Sequence, residues 1–169
     1  MPTFRATQPG LIGMQNIDET STTKKHPLGT TVMAHDFNST TDYGEGEFIY
    51  LKGVASTAVG SWVTIADNHT TALAVADGVG QVGVAMSANV ANQWGWYQIA
   101  GQAAGLVLTG FVASGSDAYL TATAGSLDDS AVEGDFVCNA VPVSARDTPS
   151  SGLAEFQLAR PFVRNLLDV

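Results

Sequence analysis

The side chains of this chain that could do chemistry are few and scattered. It has three histidines and a single cysteine. His35-Asp36 and the pair Asp67/His69 could ligate a metal if folding joined them. No spacing follows a zinc or calcium pattern, so His26, His35 and His69 read as surface or turn residues. Asp128, Asp129, Glu133 and Asp135 form an acidic loop without the glycine placement of a calcium-binding loop. Glu45 and Glu47 flank Gly46. Glycoside hydrolysis needs two carboxylates across a rigid cleft, and no partner for them is marked. Gly-x-Ser-x-Gly is absent, as is Gly-x-Gly-x-x-Gly followed by a helix. Trp62, Trp94, Trp96 and Tyr97 could stack on sugar rings, although aromatic residues in strands more often serve a core. The expectation is a protein that is not an enzyme, with no catalytic residues, no cofactor and no metal.

Charge narrows the partners. The chain of 169 residues has a net charge of −9, and only 14 % of its residues are charged, against about 25 % in an average domain. Phosphate contacts need clustered Lys and Arg, so no nucleic acid is expected. The same deficit argues against an anionic membrane surface. No Lys or Arg occurs from Gly53 to Ala145. The cations lie at the two ends: Arg5, Lys24, Lys25 and Lys52 on one side, Arg146, Arg160 and Arg164 on the other. The sharper reading of that distribution is that both ends dock on an acidic partner while the middle faces solvent.

The elements that would position these residues are strands. Short runs rich in Val, Ile and aromatics are punctuated by Gly, as in antiparallel strands joined by tight turns. Strands are expected at 48–52, 60–65, 72–75, 81–86, 96–100, 106–109, 118–123, 136–143 and 154–158. Pro142 marks its strand as an edge or an end. From Trp94 to Ala100, alternation puts Trp94, Trp96, Gln98 and Ala100 on one side and Gly95, Tyr97 and Ile99 on the other. Trp62, Trp96, Ile99 and Leu108 are expected in the core, with Cys138 a buried small hydrophobe. One cysteine permits no intrachain disulfide. The start of the chain has no apolar stretch of the secretory type, and no run approaches the roughly 18 apolar residues of a membrane helix. The fold class is all-β, a small antiparallel barrel or sandwich.

Residues 1–45 differ from the body at 46–158. Their apolar residues, Phe4, Ile12 and Ile17 among them, lack any period, and polar runs separate them. They are too apolar for a disordered tail. They read as an extended arm ordered by lying on something else, with one strand at 28–34. Deleting such an arm should leave the body folded. The interface candidates are therefore Phe4, Arg5, Ile12, Ile17, Lys24 and Lys25 on the arm, with Arg160 and Arg164 near the end. Residues 159–169 form a tail or a short turn of helix.

The body resembles the decoration, or cement, proteins of tailed-phage heads. The residues that carry the resemblance are Gly53-Val54-Ala55-Ser56 leading to Gly60-Ser61-Trp62-Val63, then Gly83-Val84-Ala85-Met86, Trp96-Tyr97-Gln98-Ile99-Ala100-Gly101 and Val112-Ala113-Ser114-Gly115. It covers roughly residues 46–145. The resemblance implies a structural protein on the outer surface of the capsid, in the virion. It would bind the major capsid protein, clamp adjacent subunits and associate with copies of itself, often as a homotrimer. The alternative class is a glycan- or receptor-binding module of a virion or fibre, using Trp94, Trp96 and Tyr97.

Overall fold

The computed structural model describes residues 1–7, 13–38, 40, 42–112 and 117–164. The fold is all-β, 46 % strand, with a large curled antiparallel sheet that forms a half-barrel. The strands are β1 (Phe4–Ala6), β2 (Thr31–Asp36), β3 (Glu45–Lys52), β4 (Trp62–Ile65), β5 (Thr71–Leu73), β6 (Gly80–Ala85), β7 (Trp94–Leu106), β8 (Tyr119–Leu120), β9 (Leu127–Asp128), β10 (Val137–Pro142) and β11 (Leu153–Val163). The main sheet runs β1-β2-β3-β7-β11-β6-β4-β5, with β10 added along β11, while β8 and β9 form a separate pair. At the far edge Lys52 bridges Thr70, so the start of β5 meets the end of β3 and the sheet curls back towards itself.

β7 is the axis of the fold. Its first half pairs with β3 and β6, and its second half pairs with β11. The change of partner occurs at a bulge, where Glu47 faces Ala100 and Phe48 faces Gln98. Gly101 sits beside it at φ 90°, and a Cβ there would run into the carbonyl oxygen of Glu45. The buried Gln98 amide caps the distortion, donating to the carbonyls of Ala100 (3.1 Å) and Gln102 (2.8 Å). A bulge leaves ladder carbonyls unpaired, and a side chain that reaches them satisfies the strand without water.

The alternation expected at Trp94–Ala100 is present, but both sides are covered. Tyr97 and Ile99 pack with Ile49, Leu51, Val63 and Ala85 inside the curl. Trp96 packs on the other face with Phe48, Tyr50, Phe4 and Ile17. A third cluster lies around Trp62, Phe111, Phe156, Leu158 and Leu120. Trp62 stands edge-on to Phe156 at 4.9 Å and lies against Gly105, where a Cβ would come 2.5 Å from its indole nitrogen. Trp62, Trp96 and Ile99 are buried as expected, whereas Leu108 is only half-buried, in the turn after β7. Cys138 is also half-buried rather than buried, because the ladder of β10 shifts register immediately after it.

Element boundaries differ from the sequence reading, and the strand expected at 118–123 is reduced to Tyr119–Leu120. The separate strand expected at 106–109 is absent: a 13-residue β7 runs through Gly101 and Gly105 and ends at Leu106, followed by an isolated bridge at Val107 and a turn. Pro161, Phe162 and Val163 continue β11 and pair with β10 and β6 instead of starting a tail; residues 165–169 lie outside the described residues. Pro142 does lie on an edge strand, since β10 pairs only with β11.

The boundary at residue 45 also needs correction. β1 pairs with β2 and β2 pairs with β3, so residues of the expected arm supply two strands to the main sheet. The described part of residues 1–45 lies on the body of its own chain.

Candidate functional site

The expected interface residues lead to the seam between residues 13–28 and the outer face of β3 and β7. This stretch forms no strand, yet it is held closely. Its centre is Gln15, which is 7 % exposed. The Gln15 Nε2 donates to the carbonyls of Glu19 (2.7 Å) and Trp94 (3.1 Å), and its Oε1 accepts from the Tyr50 hydroxyl at 3.1 Å. Its backbone carbonyl accepts from Trp96 Nε1 at 3.0 Å, and its backbone N–H donates to His26 Nε2 at 3.2 Å. Ser21 and Trp94 exchange backbone hydrogen bonds of 3.0 and 2.9 Å. Every polar group of Gln15 thus has a partner, which is what permits its burial.

His26 stands edge-on to Tyr50 at 5.0 Å and 5.4 Å from the Trp96 ring. Burial holds its pKa below the usual value, so it is a neutral imidazole and can accept from Gln15. Burial pushes the Tyr50 phenol up, which keeps it a donor to Gln15 while it accepts from the Lys25 N–H at 3.1 Å. A second anchor is Asp36, 3 % exposed, which accepts from the backbone N–H groups of Thr3 (2.7 Å), Asn38 (2.9 Å) and Tyr43 (3.1 Å). The Tyr43 hydroxyl donates to Glu155 at 2.7 Å. Burial, and then that carboxylate, raise the Tyr43 pKa far above its usual range.

These contacts place the candidate residues as follows. Phe4 and Ile17, at 5 % and 1 % exposed, are core residues of this chain and are not free to contact a partner. The reason is the curl of the sheet, whose outer face would otherwise expose Phe48, Tyr50 and Trp96. Ile12 lies outside the described residues. Arg5 is exposed, with its guanidinium 5.6 Å from the Phe37 ring. Lys24, Lys25 and Arg164 are exposed. Arg160 forms a bidentate pair with Glu47, at 3.2 and 2.5 Å, with its side chain still 62 % exposed. Arg146 pairs with Asp147 at 3.0 Å. Among the described residues these are the two ion pairs.

The aromatic platform does not form. Trp96 and Tyr97 are fully buried, and Trp94 packs against the same core. The histidines also stay apart in role: His35 lies on β2 against Phe37, and His69 occupies a turn at φ 61°. Among the described residues no group of three or more His, Cys, Asp or Glu is placed to hold a metal ion. One groove of about 650 Å³ lies beside β1, lined by Thr3, Phe4, Arg5, Ala6 and by residues of the 13–18 stretch.

Gln15, Tyr43 and Glu155 carry no pattern that singles them out in the sequence. Asp36 does, since Asp followed two residues later by Asn38 fits a side chain folding back onto the N–H at i+2. No protein-family model matches this chain, and neither does any curated protein or solved structure.

Proposed function

We propose that this chain is a decoration protein of a tailed-phage head, a structural and non-catalytic component of the outer capsid surface. It would bind the major capsid protein, clamp adjacent subunits and associate with further copies of itself, as a trimer. The observation that carries this reading is the distribution of cations. The body has none from Gly53 to Ala145. Arg146 and Arg160 are paired within the chain, while Arg5, Lys24 and Lys25 on the N-terminal stretch, and Arg164 near the end, are exposed. That stretch is the side a carboxylate-rich shell would attract, while the acidic remainder faces away. Many identical weak contacts over a closed lattice would hold the shell by avidity.

Co-sedimentation with empty shells of the encoding virus tests the proposal, at low and at high salt. Binding that weakens as salt rises is expected, because exposed pairs are screened over a Debye length of about 10 Å at 0.1 M. Absence of binding at low salt would sink it.

A further inference from the structure

We infer that the groove beside β1 accepts an extended segment of another polypeptide, one that sets a carboxylate opposite Arg5. The pairing of β1 fixes which backbone groups are available. The Phe37 N–H donates to the Thr3 carbonyl, and the Thr7 N–H donates to the Met33 carbonyl. With Arg5 opposite His35, the bonded positions of β1 are therefore residues 3, 5 and 7. The N–H and C=O groups of Phe4 and Ala6 point the other way, along the edge that borders the groove. Two donors and two acceptors, spaced two residues apart, are complemented by extended backbone and by little else.

β5, at the far end of the sheet, curls back onto β3 through the Lys52–Thr70 bridge, and the edge at β10 is built differently from β1. In β10 the Val143 N–H donates to Glu155, so Pro142 turns its nitrogen outward, where it can donate nothing. The register shift after Cys138 bends that edge further. Proline and bulges block strand addition. β1 has neither, and a groove of about 650 Å³ lies along it.

Arg5 selects the occupant. A second copy is disfavoured: the self-pairing that uses Phe4 and Ala6 of both copies puts Phe4 opposite Ala6 and hence Arg5 opposite Arg5. Like charges directly opposite destabilise a strand pair. A carboxylate there would instead meet the exposed guanidinium, while the flanking residues turn inward towards Met14 and Ile17, which favours small apolar side chains. The occupant is then an apolar–acidic–apolar extended segment, and the inference rests on the capsid reading only in taking the shell subunit as its donor.

Two measurements on the full-length protein decide this. In the first, a blocked pentapeptide of alternating valine and glutamate is titrated to millimolar concentration, with backbone amides followed by NMR. The Phe4 and Ala6 amides should shift, and Arg5→Glu should abolish the response. Ala6→Pro, which removes only an outward N–H, should abolish it while leaving the amides of the β2–β3 pairing unchanged. Shifts elsewhere, or none, would overturn the inference. In the second, shell co-sedimentation should fall at least tenfold for Ala6→Pro and for Arg5→Glu. Wild-type binding that both variants retain removes the groove from attachment. A responsive groove in a protein that does not sediment with shells defeats the capsid reading and leaves the strand-acceptor standing with another donor.

Discussion

β3 and β7 are buried on both faces, by different means. On the inner face the sheet curls over Leu51, Val63, Tyr97 and Ile99, so apolar strands cover apolar strands. On the outer face a stretch with no strand of its own lies across Tyr50 and Trp96, pinned through Gln15 and His26. The first kind of burial needs only volume and pattern. The second depends on a few hydrogen bonds between particular atoms, so it can be broken by one substitution or by protonation. A cover of that kind holds an irregular segment in place and keeps its cations on the outside.

The largest effect should come from removing the cover. Deleting residues 1–28 takes away Phe4 and Ile17, each contributing roughly 1.5–3 kcal/mol by burial, and the half-buried Leu28, which contributes less. Together that approaches much of a typical domain stability of about 5–15 kcal/mol. The truncated chain should lose cooperative unfolding and bind a hydrophobic dye, contrary to the separable arm expected from sequence. An unchanged melting temperature would show that the outer face needs no cover.

Trp96→Ala and Trp62→Ala should each cost about 3–5 kcal/mol in denaturant unfolding. They differ in where the damage spreads. Trp96→Ala also deprives the Gln15 carbonyl of its donor, so amides of residues 13–26 should exchange faster with solvent, and Trp62→Ala should leave them slow. Equal exchange in both variants would contradict the division between the two faces.

Gln15→Ala is a smaller break confined to the seam. It leaves the backbone bonds of residue 15 intact but strands the carbonyl of Glu19, leaves that of Trp94 with the Ser21 N–H alone, and removes the acceptor for Tyr50. A cost of about 1–3 kcal/mol is expected, the range for buried groups left unsatisfied. A loss below the error of the unfolding measurement would mean that water replaces the side chain freely.

The smallest effect is pH dependence through His26. Its folded pKa lies below the usual histidine value because burial disfavours the cation. The unfolded chain therefore binds the proton more readily, and stability is complete above about pH 6.5. It falls as pH drops below that value, until the folded form is protonated too. The ring is only partly buried, so this loss is small. Tyr50 stands beside the ring, and burial raises its pKa further, so it keeps its proton between pH 5 and 7. Other carboxylates titrate in the acid range, so the readout is the difference between wild type and His26→Phe in melting temperature from pH 7.5 to 5. Parallel curves for the two proteins would remove His26 as a source of pH sensitivity.

Most of the strand content could be read from the chain. Period-2 alternation and glycine punctuation are local signals, and they located β3, β4, β6, β10 and the faces of Trp96 and Tyr97. Pro142 marked an edge because a missing N–H has the same meaning in any sheet. The cation-free stretch was equally plain in the sequence. Long-range matters were not legible there. Whether an apolar, aperiodic segment covers its own chain or another depends on which face the curl leaves bare, and the curl depends on Gly101, Gln98 and the Lys52–Thr70 bridge acting across the fold. For the same reason Phe4 and Ile17 read as partner-facing until the sheet that buries them is complete, and Gln15 had no signature, since its partners come from Tyr50, Trp94 and Trp96. The alternation of side chains is dictated by the backbone of each strand, and the sequence alone determined it. What lies against each face is decided by contacts between residues far apart in the chain, and only the tertiary structure determined that.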